Sequence, residues 1–88
     1  MKQIYTIYDS KAEAYMTPFF IQQDGQALRD FKDAALNQES TISKHPEDYT
    51  LFKLGTYDET TAKIEMLKTP VSMGVAIEYT TQQLEAVN

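Results

Sequence analysis

The segment spanning residues 44–64, KHPEDYTLFKLGTYDETTAKI, constrains the fold of this chain most strongly. Its proline, Pro46, pre-sets a helical φ and is followed by two acidic residues, which predicts one short helical turn. The residues at 49–57 are rich in aromatic and apolar side chains and predict a strand. A polar turn over 58–61 then predicts a hairpin whose second strand returns over 63–68. The middle of the chain is therefore expected to form an antiparallel hairpin.

The N-terminal residues 2–9, KQIYTIYD, predict another strand because they are rich in Ile, Tyr and Thr. Large side chains occupy both faces of this strand, which suits a central position in a sheet or one that faces a partner. A further strand is expected over 15–22, YMTPFFIQ. Because Pro18 has no N–H to donate, we expect this strand to lie at an edge or to be bulged there.

An amphipathic helix is predicted to follow Asp24 and Gly25. Asp24 is a good N-cap residue, because its carboxylate can accept hydrogen bonds from the free amides of a first helical turn. Apolar side chains then recur at spacings of three and four, which places them on one helical face. These positions are Ala27, Leu28, Phe31, Ala34 and Ala35. We expect this apolar stripe to pack on one face of the sheet, and we expect a polar loop over 37–41.

The residues that follow Pro70 allow two interpretations. Pro70 is expected to break the chain, and apolar and small or polar residues then alternate from 71 to 79, which predicts a half-buried strand. A short helix capped by Ser72 is the other interpretation, because Val75, Ala76 and Tyr79 would then share one face. The last residues, TTQQLEAVN, are polar.

The predicted elements add up to an α+β fold. We expect a mostly antiparallel sheet of four to five strands with one principal amphipathic helix packed on one face. The sequence predicts a single compact domain over 1–80 and a polar C-terminal tail over 81–88. We find no internal repeat.

Composition restricts the chemistry open to the chain. It has 88 residues and no cysteine, which excludes disulfides, thiolate chemistry and cysteine-based metal sites. A small domain without such staples often depends on a partner copy, so we expect a homodimer. Thirteen acidic and eight basic residues give a net charge of −5, which argues against tight, sequence-blind coating of nucleic acid.

The sequence gives no support for an enzyme, a cofactor or a metal site. The only histidine, His45, lies beside Glu47 and Asp48, but zinc sites usually use three or four ligands that are mostly His and Cys. The three glycines are isolated, so no phosphate-binding loop is present, and no Gly-x-Ser-x-Gly motif surrounds a serine. No apolar stretch approaches a membrane span or a signal peptide, and we expect a cytoplasmic location.

Aromatic residues on the predicted strands suggest an interaction surface. If Phe52 and Leu54 faced the helix, alternation would expose Tyr49, Lys53 and Tyr57 together on the other face. Bases of single-stranded nucleic acid stack on such aromatics while lysines contact the phosphates. The alternatives are that most strand aromatics fill a small core, or that this surface is a dimer patch. The candidate nucleic-acid-binding residues are Lys11, Lys44, Tyr49, Lys53 and Tyr57.

Several strings of the sequence resemble one protein family across most of the chain. They are IYTIYD at 4–9, KAEAY at 11–15, TPFF at 17–20, KHPEDY at 44–49, LFKLG at 51–55, and the segment 70–79. These strings resemble the small nonstructural protein of gokushovirus-type microviruses, which are single-stranded-DNA bacteriophages. The resemblance supplies no catalytic or binding residues.

The resemblance implies a nonenzymatic, nonstructural phage accessory protein in the host bacterial cytoplasm. Such proteins are described as DNA-binding and as acting in the switch from duplex replication to single-strand synthesis and genome packaging. Our first hypothesis is therefore a homodimer that engages single-stranded DNA. The alternative is an acidic protein–protein interaction regulator that docks on phage replication or procapsid proteins or on a host factor, without DNA contact.

Overall fold

The computed structural model describes residues 1–80, so the predicted tail at 81–88 lies outside the described residues. The elements are β1 Lys2–Asp9, β2 Ala14–Tyr15, β3 Phe19–Ile21, α1 Asp24–Leu36, α2 Thr41–Lys44, a 3₁₀ turn Pro46–Asp48, β4 Tyr49–Asp58 and β5 Lys63–Val75. A helical segment begins at 76 and continues through 80. No helix within the described residues is long and apolar enough to span a membrane.

The strands form one antiparallel sheet in the order β2-β1-β4-β5, and β3 also pairs with β1. The predicted N-terminal strand is confirmed, and it is central. The single strand expected over 15–22 is instead two short strands on the same edge of β1. The chain leaves the ladder around Pro18, which has no donor, and the Met16 carbonyl accepts a hydrogen bond from the Thr6 hydroxyl at 2.6 Å.

The predicted hairpin is confirmed, but its second strand is longer than expected. At its turn, Ala62 adopts a φ of 63° and its N–H donates to the Asp58 carbonyl at 2.7 Å. The expectation that Pro70 breaks the chain is wrong, because β5 continues past it to Val75. Proline is tolerated there because β5 is an edge strand, so a missing N–H on its outer side costs no ladder hydrogen bond.

A bulge lies beside Gly55, and it affects both neighbouring strands. Gly55 pairs with Ile4 and Lys53 pairs with Tyr5, so Leu54 is an extra residue opposite β1. On the other side, residues 67–70 of β5 stand opposite Leu54 alone. A Cβ added to Gly55 would overlap the Glu65 carbonyl, so this close approach of two backbones requires glycine.

The main hydrophobic cluster lies on one side of β1 and β4, which we call the core face; Ile4 and Thr6 are buried on the opposite side. The buried core residues are Tyr5, Ala27, Phe31, Ala35, Ile42, Tyr49, Leu51 and Ala76. The predicted apolar stripe of α1 is confirmed, since Ala27, Phe31 and Ala35 are buried while Leu28 and Ala34 are partly buried. The helix, α2 and the central strands therefore share one hydrophobic cluster.

Two short helical elements precede β4. The helical turn predicted from Pro46 is confirmed as the 3₁₀ turn. The polar loop predicted over 37–41 ends in α2, which the sequence analysis missed. The Ser40 hydroxyl caps α2 by accepting a hydrogen bond from the Ile42 N–H at 3.1 Å, and Ile42 enters the core. A single buried apolar residue thus anchors a four-residue helix.

Asp24 is not the N-cap of α1, which corrects the prediction. Gln23 occupies that position without a side-chain hydrogen bond, and Asp24 is the first helical residue. Its carboxylate instead accepts a hydrogen bond from the buried Tyr5 hydroxyl and pairs with the Lys53 ammonium. A buried hydroxyl needs an acceptor, and this requirement determines where the carboxylate lies.

Both a strand and a helix occur within residues 71–79, but the expected cap at Ser72 is wrong, because Ser72 lies within β5 and pairs with Phe52. The chain is a strand up to Val75 and helical from 76 onward. Gly74 has a φ of 123°, in the region that favours glycine, at the point where the strand ends. The Tyr79 hydroxyl then donates to the Met73 carbonyl at 2.8 Å and its ring packs edge-on against Phe31. These contacts fix the start of the C-terminal helical segment against α1.

Candidate interaction face of the sheet

The strand register assigns side chains to two faces of the sheet. Residues directly opposite each other in neighbouring strands point to the same side, and successive residues point to opposite sides. One side carries Tyr5 and Leu51 and is the core face. We call the other side the outer face. Its residues are Lys2, Ile4, Thr6, Tyr8, Tyr15, Phe20, Thr50, Phe52, Tyr57, Ile64, Met66, Ser72 and Val75.

The outer face carries no carboxylate among these paired residues and one basic residue, Lys2. The acidic residues of the paired strands, Asp9, Asp58 and Glu65, all lie on the core-face side of the register. The chain as a whole has a net charge of −5. Charge is therefore segregated in the fold, and an acidic protein presents one sheet face that is almost uncharged.

Aromatic side chains form two groups on the outer face. In the first, the Tyr8 ring contacts Tyr15 with centroids 4.7 Å apart, and Phe52 packs against the Tyr15 ring at 5.9 Å. In the second, Phe20 and Tyr57 meet edge to face at 5.6 Å. Tyr15 and Phe20 are also strongly exposed to solvent. The face therefore offers aromatic surface that the fold itself does not cover.

An open apolar groove of about 340 Å³ borders the first aromatic group. Its lining residues are Thr6, Tyr15, Met16, Pro18, Leu54 and Pro70. The Thr6 hydroxyl already donates to the Met16 carbonyl, so this polar side chain adds no free donor to the groove. The groove is suited to an apolar or aromatic group rather than to a charged one.

The expectation that Tyr49, Lys53 and Tyr57 are exposed together is wrong. Tyr49 is only 8 % exposed and belongs to the core, where burial and nearby Asp9 raise the pKa of its hydroxyl. Lys53 also lies on the core-face side, whereas Tyr57 lies on the outer face. The bulge at Leu54 separates Tyr57 from Lys53, because one extra residue reverses the alternation along β4.

Lys53 is engaged by an acidic partner. Its ammonium lies 3.1 Å from Asp24 Oδ1, and the same carboxylate accepts a hydrogen bond from Tyr5. The Tyr5 hydrogen bond and, next, Lys53 lower the pKa of Asp24. Burial and the neighbouring Asp24 raise the pKa of Tyr5. The group ties the beginning of α1 to the sheet, and its charges largely compensate each other.

The structure separates the other predicted lysines. Lys11 lies exposed in the turn between β1 and β2, the strands that carry Tyr8 and Tyr15. Lys44 ends α2, whose Ile42 belongs to the core cluster. Of the five predicted residues, Tyr57 lies on the outer face, and Lys11 lies in the turn that joins two strands of that face. The five residues do not form one cluster.

The residues that sequence reasoning missed are the outer-face aromatics Tyr8, Tyr15, Phe20 and Phe52. The sequence did contain a usable signal in Gly55. A bulge beside Gly55 shifts the alternation by one, and applying that shift places Phe52 and Tyr57 on the same face.

Among the described residues, His45, Glu47 and Asp48 form a group whose side chains could reach one metal ion. Each offers one ligand atom, and these atoms lie within 4.8 Å of one another. The His45 and Glu47 side chains are exposed, and the Asp48 N–H donates to the His45 carbonyl at 3.0 Å within the 3₁₀ turn. Exposed acidic groups that lie this close together are common without a metal ion, and these three residues have the character of a polar surface turn.

Comparison with known proteins identifies the family of the chain. No curated protein and no solved structure matches it significantly. A family model described as Phage ORF5 protein matches residues 2–79, which is nearly the whole chain. The match includes the strands β1 to β5, which form the outer face. The chain therefore belongs to the Phage ORF5 protein family, a family of bacteriophage proteins.

Proposed function

We propose that this phage accessory protein is nonenzymatic and binds single-stranded DNA on its outer face. The observation that carries the proposal is the uncovered aromatic surface without carboxylates in a chain of net charge −5. The resemblance to gokushovirus-type microvirus proteins supports a role in viral genome synthesis or packaging, in the host bacterial cytoplasm.

Stacking is the interaction that this face is best suited to make. Every base has a π-face, and stacking on an exposed aromatic contributes about 1–3 kcal/mol per base. Tyr15 and Phe20 are the most exposed aromatic side chains of the face and belong to its two separate aromatic groups. A DNA single strand bound across both aromatic groups would meet no carboxylate from the paired β-strands. The DNA phosphates would therefore not be repelled there.

Phosphate contacts are expected to be few. Lys2 lies on the outer face and Lys11 in the adjoining turn, whereas Lys53 is engaged by Asp24. For single strands, each neutralised phosphate contributes about −0.7 to the slope of log K against log salt. Two such contacts give a slope of about −1.4. We therefore propose a modest binder that depends on stacking more than on charge.

Fluorescence anisotropy with a labelled single-stranded oligonucleotide tests this proposal. We expect Tyr15→Ala and Phe20→Ala each to weaken binding about tenfold, which corresponds to about 1.4 kcal/mol and one lost stacking contact. Leu36→Ala is the matched control, because Leu36 is also exposed and apolar but lies at the end of α1. Absence of binding at low salt, or equal losses in all three variants, would contradict the proposal.

A protein–protein regulator is the second candidate function, and the apolar groove favours it. A groove of about 340 Å³ that offers little hydrogen bonding can receive an apolar side chain of another protein. The partners to test are phage replication proteins, procapsid proteins and host factors. In this case DNA contact would be absent.

Affinity purification from infected cells, with nuclease treatment, tests the second candidate. Met16→Lys places a charge in the groove and is expected to abolish recovery of a phage or host protein that the wild type retains. Leu36→Lys is the control at an exposed site away from the groove and should retain the partner. Recovery of nucleic acid without any protein would count against this function.

A further inference from the structure

We propose that in the absence of DNA the outer face is covered by the outer face of a second copy of this chain. Self-association and single-stranded DNA would then compete for one surface. The competition rests on the proposed function, whereas the self-association surface stands on the structure alone. A concentration-dependent equilibrium would thereby regulate access to the aromatic residues.

The exposed apolar area matches what such an interface requires. Tyr15, Met16, Phe20, Ile64 and Met66 are each between 44 % and 62 % exposed. Taking about 200 Å² for a complete side chain of this size, these fractions correspond to about 500 Å² per copy. Two copies would bury about 1,000 Å², which is the level that a specific protein–protein interface should reach.

Charge also favours a second copy as the occupant. Two acidic chains repel each other unless their carboxylates stay apart. The carboxylates of the paired strands, Asp9, Asp58 and Glu65, lie on the core-face side of the sheet, away from the outer face. Lys2 is the one charged residue that the register places on the outer face. Outer faces can therefore approach each other without burying a carboxylate from these strands.

The shape of the sheet favours pairing through faces over pairing through edges. The outer edge of β5 is interrupted by Pro70 and by the bulge at 67–70, and both features oppose addition of another strand. Two sheets packed face to face lie about 10 Å apart with interdigitated side chains. The groove beside Tyr15 provides room for a side chain that protrudes from the partner copy.

Two variants on the same strand test the surface by sedimentation velocity. Met66 is 62 % exposed and Val71 is 50 % exposed, but the register places them on opposite faces. We expect a wild-type dimer at micromolar concentration. Met66→Glu should raise the dimer dissociation constant at least tenfold, while Val71→Glu should leave it unchanged. Circular dichroism checks that both variants are folded.

Addition of a single-stranded oligonucleotide to the wild-type dimer tests the competition. We expect the dimer to dissociate and a complex with one protein copy to appear. A protein that is monomeric at all concentrations, or that is equally impaired by both variants, would overturn the self-association surface. A dimer that binds DNA without dissociating would overturn the competition. A dimer that binds no DNA would contradict the proposed function and support the self-association surface.

Discussion

The group formed by Tyr5, Asp24 and Lys53 yields a quantitative stability prediction. Tyr5 is fully buried and its hydroxyl donates to Asp24 Oδ1 at 2.5 Å, whereas the Asp24 side chain is 48 % exposed. Asp24→Ala leaves a buried donor without its acceptor, and we expect it to lower the free energy of unfolding by about 3 kcal/mol. Tyr5→Phe removes the donor instead, and water can hydrate the exposed carboxylate, so we expect a loss of about 1 kcal/mol.

Lys53→Met should cost less than about 1 kcal/mol, because the ion pair is partly exposed and screened. Urea unfolding followed by circular dichroism measures all three variants, and unchanged m values would show that the differences reflect stability. The reasoning predicts the order Asp24→Ala, Tyr5→Phe, Lys53→Met from largest to smallest loss. If Tyr5→Phe cost as much as Asp24→Ala, the hydroxyl would not depend on this acceptor and the account of the α1 start would be wrong.

Three further predictions concern the backbone and pH. Gly55→Ala should lower the free energy of unfolding by at least about 2 kcal/mol in urea titrations, because the new methyl group overlaps the neighbouring strand. Ala62→Gly should raise it by about 1 kcal/mol in the same assay, because φ is 63° there. The pKa of Asp24 is lowered on folding, so its contribution is present above its ordinary pKa of 3.8 and is lost as pH falls through the folded value. Thermal melts between pH 5 and pH 2 should therefore show a smaller acid loss for Asp24→Asn than for the wild type.

Much of the fold was predictable because it depends on local patterns. The strand at 2–9, the hairpin around 58–61 and the apolar stripe of α1 follow from alternation, turn chemistry and helical spacing. Pro70 was misjudged because its effect depends on whether the strand lies at an edge, and strand order is a long-range property.

The site was harder to predict because it depends on contacts between distant residues. Local sequence at Asp24 indicates an N-cap, but the buried Tyr5 hydroxyl, 19 positions earlier in the chain, determines where the carboxylate lies. The exposure of Tyr49 was misjudged because its side chain belongs to the same buried cluster as Ala27 and Phe31 of α1, which no local pattern in β4 indicates. Its separation from Tyr57 follows from a one-residue bulge that no alternation pattern reveals by itself.

Methyl-detected NMR during titration with a single-stranded oligonucleotide tests the central claim most directly. The Ile64 and Met66 methyl groups lie on the outer face and Met16 lines its groove, whereas Val71 is on the core-face side and Leu36 ends α1. The account predicts dose-dependent shifts of the first three signals and unchanged signals from the last two. Shifts confined to Val71 and Leu36, or no shifts at low salt, would contradict it.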